Sequence, residues 1–284
     1  MRIAGVQMDV RIADVAGNTE AVLQWLQRAA EAGAELVVFP ECVLTGYCFE
    51  SAEEALAVAQ DLDGEAVRAI VEACERLRCL AVFGLLERAG ERYFNAALLA
   101  GPGGVLASYR KVHLPYLGAD RFAAYGDRPF AVHEVSGVRL GLNICYDSSF
   151  PEASRVLALL GADVIALPTN WPPGAECVAE HAIATRAMEN GIYYAAINRV
   201  GRERGYRFIG RSVICGPDGE ELARAGAGEE ALLIAEVDPR RARDKLRERV
   251  PGRHIIDRFG DRRPEFYEAI VRPHGYPRSG GRVG

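Results

Sequence analysis

VRLGLNICYDSSFPEASRVLALLGADVIAL, residues 138–167, holds a complete β-α-β unit. Residues 138–144 form an apolar run that ends at Cys145, Pro151 opens a helical stretch to residue 160, and residues 164–167 return to a buried strand. Working outward, a helix over 176–189 is closed by Gly191, and 193–198 is another strand. Gly216-Pro217-Asp218-Gly219 then joins 208–214 to Leu222 and to a strand at 232–237. Upstream the same order is written once already. Residues 3–7 read as a strand; Asn18 is placed to cap a helix in which Val22, Trp25, Leu26 and Ala29 recur before Gly33; and 36–39 form a strand stopped by Pro40. A helix over 63–77 leads to a strand at 80–86, and Gly101-Pro102-Gly103-Gly104 joins 96–99 to 105–109 as a hairpin.

Two β-α-β-α-β-β halves are therefore expected. Strands apolar on both faces need helices on one side and another layer on the other, and pairing the two sheets supplies both. The fold class that follows is α/β, a four-layer α-β-β-α sandwich. Residues 1–238 make one domain; beyond them the chain turns arginine-rich and loses periodicity, so 239–284 reads as a C-terminal extension that packs on the domain or on a partner subunit.

Composition narrows the function. In 284 residues, 49% of them hydrophobic, the formal charge is -5, which offers no basic field for nucleic acid. Met1-Arg2-Ile3-Ala4-Gly5-Val6-Gln7 lacks the apolar core of a secretory signal, and no stretch approaches the roughly 18 apolar residues of a membrane span, so a cytoplasmic protein with no membrane partner is expected. Seven cysteines, an odd number without CxxC or zinc-type spacing, read as free thiols and give no metal site. Lys111 and Lys245 are the only lysines among 34 basic residues. A lysine kept where arginine is the default suggests a need for a compact ammonium.

In open α/β sheets chemistry gathers beyond the carboxyl ends of strands. Glu41, Lys111 and Cys145 each follow such an end. Taken singly, each has an ordinary explanation: a strand-capping carboxylate, a loop lysine, a buried structural thiol. Taken together they suit acyl transfer. A cysteine on a sharp strand-to-helix turn is presented like the nucleophile elbow of serine hydrolases, a partly desolvated glutamate can exchange protons near neutral pH, and an ammonium favours the thiolate and an oxyanion.

Three blocks carry a resemblance: Pro40-Glu41 with Leu44-Thr45-Gly46-Tyr47; Tyr109-Arg110-Lys111-Val112-His113-Leu114; and Cys145-Tyr146-Asp147 with Phe150-Pro151-Glu152. In this order they resemble the signature blocks of the nitrilase-like carbon-nitrogen hydrolase superfamily. Weaker matches follow at 186–190, 198–201 and 261–267. The resemblance implies a Glu-Lys-Cys triad on Glu41, Lys111 and Cys145, the same four-layer sandwich, a homodimer or higher homo-oligomer, and hydrolysis of a small amide or carbamoyl compound through a thioester, without metal or organic cofactor. One departure stands out: where the family often has a second glutamate after the lysine block, this chain offers Asp120. Tyr47, Asn170 and Trp171 follow strands and are expected to shape the pocket, and Tyr146 to donate its backbone N–H to the oxyanion. A nitrilase using the same triad, through a thioimidate, and a non-catalytic oligomeric binding protein are the rival readings.

Overall fold

The fold is seen in a computed structural model that describes residues 1–281. The chain opens with β1 (Arg2–Gln7), α1 (Val15–Glu31), β2 (Leu36–Val38), α2 (Ala52–Val58), α3 (Glu65–Leu77) and β3 (Leu80–Ala89), followed by β4 (Arg92–Gly101) and β5 (Gly104–Arg110). Its second half runs β6 (Val132–Val135), β7 (Val138–Leu142), α4 (Pro151–Leu159), β8 (Val164–Thr169), α5 (Ile183–Asn190) and β9 (Tyr193–Asn198). A two-residue pair, β10 (Arg202–Glu203) and β11 (Tyr206–Arg207), precedes β12 (Val213–Cys215), β13 (Glu221–Arg224) and β14 (Ala231–Glu236).

Two six-stranded sheets result, ordered β14-β1-β2-β3-β4-β5 and β13-β12-β9-β8-β7-β6. In each, three parallel strands are flanked by antiparallel ones. Alternation along the strands divides the apolar side chains among three cores. Leu36 and Val38 face Leu140, Val164 and Ala166 between the sheets; Val37 and Phe39 pack with Leu26 and Ile70 under the helices of the first half; Ile165 and Leu167 pack with Leu157 and Ile183 under those of the second. These are the four layers anticipated from the repeat.

Four details differ from the sequence reading. The strand near 232–237 belongs to the first sheet: β14 pairs antiparallel with β1, from Arg2 opposite Glu236 to Gln7 opposite Ala231. An unpaired edge beside β1 would leave its N–H and C=O groups without partners, and β14 covers them. On the second sheet the same place, beside β7, is filled by β6, which the sequence reading did not register. Asn18 is not a cap. α1 starts at Val15, Asp14 accepts from Gly17 N at 3.0 Å, and the buried Asn18 side chain instead bonds Arg11 N, Arg11 O and Leu44 O. The strand expected over 208–214 is ladder-paired only at Val213–Cys215, because Gly210 and Arg211 take positive φ and Asn198 Nδ2 donates to Gly210 O at 2.7 Å.

The extension begins with α6 (Pro239–Arg243), which buries Ala242 and pairs Arg243 with Asp163. Lys245 Nζ donates to the carbonyls of Asn190 and Gly191 at the end of α5, at 3.0 and 2.9 Å, a cation on exposed C-terminal carbonyls. A hairpin of β15 (Leu246–Val250) and β16 (His254–Asp257) follows, and the last turn lies beside the 112–125 loop, with Arg278 over the Tyr125 ring. Among the described residues no helix is long and apolar enough to cross a membrane.

Candidate active site

Cys145 stands where β7 has run out and a five-residue 3-10 turn, Cys145–Ser149, begins, at φ 43°. A non-glycine residue in this left-handed region costs on the order of 1–3 kcal/mol and persists only where its surroundings enforce it. Here Asp147 enforces it. Its buried carboxylate accepts from Ile144 N and Tyr109 OH, both at 2.8 Å, and from His113 N at 3.2 Å, and lies 2.7 Å from His113 Nδ1. Ser148 Oγ donates back to Cys145 O at 2.7 Å, and the His113 ring stacks on Phe150 at 3.8 Å.

Glu41 follows β2 through Phe39-Pro40. The turn it sits on lies so close to β3 that a side chain at Gly84 would meet Glu41 Cα at 2.7 Å, which is why glycine interrupts that strand. Lys111 follows β5, its N–H bonded to Asn95 O and its carbonyl to Gly126 N, each at 2.8 Å. Lys111 Nζ lies 2.6 Å from Glu41 Oε1 and 2.5 Å from Asp120 Oδ2, and none of the three side chains is exposed. Tyr47 OH donates to Asp120 Oδ2 at 2.9 Å, and Asn95 Nδ2 to Glu41 Oε1 and Asp120 Oδ1 at 2.7 and 2.8 Å. Glu41 Oε2, also buried, has no hydrogen-bond partner among the described residues.

The electrostatics follow from two carboxylates sharing one ammonium in a dry site. Burial raises the Glu41 carboxyl above its ordinary range, against the pull of Lys111. Burial opposes the Lys111 charge as well, but Asp120 and Glu41 outweigh it and hold the ammonium well above the usual lysine range. Burial and then Glu41 push the Cys145 thiol up to about 12, while Lys111, the Thr169 hydroxyl and the Asn170 backbone act to lower it. At rest, therefore, the sulfur keeps its proton, with the Glu41 carboxyl in reach. Glu41, Lys111 and Cys145 lie within electrostatic reach of one another.

Of the remaining candidates, Asp120 and Tyr47 join this network. Asn170 is 1% exposed, and neither polar atom of its side chain has a partner among the described residues. Tyr146, 36% exposed, meets Phe150 edge-on at 5.1 Å and lines a cavity of about 390 Å³ outside the Cys145 turn, with His113, Tyr125 and, from the extension, His274 and Tyr276. The Trp171 ring lies in the helix-side core of the second half with Leu167, Ile183 and Ile209, a cluster that Cys145 borders. Among the described residues no group of His, Cys, Asp or Glu is arranged to hold a metal ion.

Sequence reading passed over Asn95, Asp147, Thr169 and the pair Arg199–Glu203. Arg199 is fully buried, bonded to Glu203 and to Asp9 at 2.9 Å; Glu203 Oε2 accepts from Tyr47 N and Cys48 N at 3.0 and 2.9 Å. The second half thus clamps the Tyr47 loop of the first. Signals existed for Asn95, an amide inside the apolar run of β4, for Asp147, inside the third resemblance block, and for Arg199, inside the 198–201 match; Thr169 and Glu203 carry none without their partners.

Comparison with known proteins settles the family. Residues 2–245 match the sequence profile of the family described as carbon-nitrogen hydrolase. The chain belongs to that family. Relatives of this carbon-nitrogen hydrolase include a nitrilase of Pyrococcus abyssi, 38% identical over 268 residues, covering 94% of this chain and 99% of the relative. An (R)-stereoselective amidase of a Pseudomonas species is 35% identical over 239 residues, covering 84% and 85%. Among solved structures, an amidase from a Nesterenkonia species superposes with a TM-score of 0.79 at 31% identity, covering 95% of this chain and 96% of that one. A variant of the same amidase, with a TM-score of 0.79, 30% identity and coverage of 95% and 97%, carries the acetamide moiety of fluoroacetamide covalently on its active-site cysteine. This carbon-nitrogen hydrolase is accordingly an enzyme of non-peptide carbon-nitrogen bonds.

Proposed function

We propose that the enzyme cleaves small amides or carbamoyl compounds to a carboxylic acid and ammonia or an amine, with Cys145 as nucleophile, Glu41 as general base and acid, and Lys111 as oxyanion stabiliser. The observation that carries this reading is the unpaired Glu41 Oε2 in a network whose other carboxylate oxygens all have donors, next to a thiol that needs a base. Glu41 takes the Cys145 proton as Sγ attacks the amide carbon. Lys111 Nζ and the Tyr146 backbone N–H hold the oxyanion. Protonated Glu41 then gives its proton to the departing nitrogen, leaving a thioester, and takes a proton from the water that hydrolyses it. Asp120 keeps Lys111 charged and aimed. Tyr47, Asn170 and Trp171 border the acyl group.

A nitrile would meet the same thiol, base and ammonium and pass through a thioimidate, and one relative is named a nitrilase. The amidase reading is favoured by the amidases among relatives and solved structures. Ammonia release from a matched amide and nitrile is the deciding measurement, with faster release expected from the amide. Cys145→Ala should reduce that release by at least about four orders of magnitude; a variant as active as the parent would sink the mechanism. Because the resting thiol is pushed up to about 12, iodoacetamide labelling of Cys145 that depends on Glu41, and is lost in Glu41→Gln, is the outcome expected if the chain is not a silent scaffold. We further place the enzyme in the reducing cytoplasm on its seven free cysteines. We assign it a homodimer or larger homo-oligomer in which residues 239–284 pack on the domain or on the partner, to be read by analytical ultracentrifugation.

A further inference from the structure

We propose that Asn95 is a positioning residue of this site: its carboxamide holds Glu41 and Asp120 as separate carboxylates on either side of Lys111 and leaves Glu41 Oε2 as the oxygen that exchanges protons with Cys145. The inference rests on the triad assignment above.

Asn95 is 1% exposed and lies in the middle of β4, where every neighbour from Tyr93 to Ala100 is buried and apolar. An amide there is costly unless it is fully bonded. Its Nδ2 carries two hydrogens, and two acceptors face it: Glu41 Oε1 at 2.7 Å and Asp120 Oδ1 at 2.8 Å. Its Oδ1 accepts from Cys42 Sγ at 3.6 Å, and its backbone O accepts from Lys111 N at 2.8 Å. The orientation of the amide is dictated by chemistry, since an oxygen turned toward two carboxylates would be repelled by both. Adding the Lys111 and Tyr47 bonds, Glu41 Oε1 and Asp120 Oδ2 each accept two of these hydrogen bonds and Asp120 Oδ1 accepts one, while Glu41 Oε2 has none among the described residues.

One ammonium neutralises one of two adjacent buried carboxylates. The two amide hydrogens stabilise the second negative charge; without them the pair keeps a shared proton, and Glu41 is no longer free to take another from the thiol. The amide thus acts on the protonation of Glu41 without touching substrate.

The test is the pH dependence of kcat and kcat/KM for Asn95→Ala and Asn95→Ser on the best amide. In Asn95→Ala the acid limb should move up by about one to two pH units. Turnover should then fall about ten- to a hundredfold at pH values below the parent's limb and be recovered at pH values above the displaced one, with KM changed less than about threefold. Serine, which can donate one bond, should lie between. A merely structural role would lower activity equally at every pH, so an unmoved acid limb overturns the proposal. If Asn95→Ala does not fold, Asn95→Ser reads the same limb with the same consequence. Cys145→Ala and Glu41→Gln separate the two levels: if either turns over like the parent, the triad assignment fails and this inference with it; if both are inactive and the Asn95 limb is unmoved, only this inference fails.

Discussion

The ends of β2 and β8 are two versions of one design. Leu36-Val37-Val38-Phe39-Pro40-Glu41 and Val164-Ile165-Ala166-Leu167-Pro168-Thr169 each lie parallel to the first long strand of their half, with Ile3 opposite Leu36 and Leu140 opposite Val164. Both send alternate side chains into the inter-sheet core and the helix-side core, and both reach a proline, Pro40 beyond the end of β2 and Pro168 still paired inside β8. They part at the next residue. Glu41 is a carboxylate tied to Lys111 and Asn95; Thr169, its counterpart, is a hydroxyl whose one noted influence is on the Cys145 thiol. The same register sets Cys145 against Met8, a buried core residue. The three candidates therefore do not occupy equivalent places in the repeat, as their common position after strands had suggested. Repetition supplies a frame with two strand ends facing one thiol, and the chemistry sits where the halves differ.

That contrast can be broken most severely at the ammonium, which has no lysine counterpart in the second half. Lys111→Ala should lower kcat by about two to three orders of magnitude, the usual consequence of removing an oxyanion donor. Loss should be larger if Glu41 and Asp120, then without a cation, keep a proton between them. Steady-state kinetics on a folded variant, its fold checked by circular dichroism, measure it; a loss below tenfold would contradict the assignment.

A second difference is that Glu41 titrates and Thr169 does not. Because burial raises the Glu41 carboxyl, the acid limb of kcat/KM should lie above the ordinary glutamate value of about 4.3, activity rising with pH as the base form appears. With the thiol near 12 and Lys111 well above its usual range, no alkaline fall should appear below about pH 10. Glu41→Gln should abolish the limb together with the activity. A limb at 4.3 or lower would show a solvated, differently placed carboxylate.

The mildest change sharpens the comparison from the other side. Thr169→Val removes a hydroxyl that has no partner at rest among the described residues but acts to lower the Cys145 thiol, so turnover and iodoacetamide labelling of Cys145 should slow by about three- to tenfold. The acid limb should stay in place, and the thermal midpoint should hold or rise, since a buried unpaired hydroxyl is lost. A fall in stability without a change in rate would make Thr169 a packing residue.

Much of this was legible in the residues. Strand and helix periodicities gave the layers because apolar alternation is imposed by which face of a strand meets which core, a local property of Val37 and Val38. Glu41, Lys111 and Cys145 stood out because each polar side chain ends an apolar run. What stayed hidden depends on partners distant in the chain. Asn18 reads as a cap by type, yet Leu44 O, 26 residues away, holds it inside the helix while Asp14 does the capping. Arg199 looks like a surface arginine until Asp9, 190 residues earlier, and Glu203 enclose it. Asp147 looks like loop polarity until Tyr109 and His113 arrive from the other sheet's edge.

The pairing of β14 with β1 has a consequence for how the protein is made. From Arg2 to Gln7, β1 can satisfy one of its two edges fully only after residues 231–236 have been translated. During most of synthesis the nascent chain carries that open edge, apolar on both faces and free to pair with a neighbour on the same polysome.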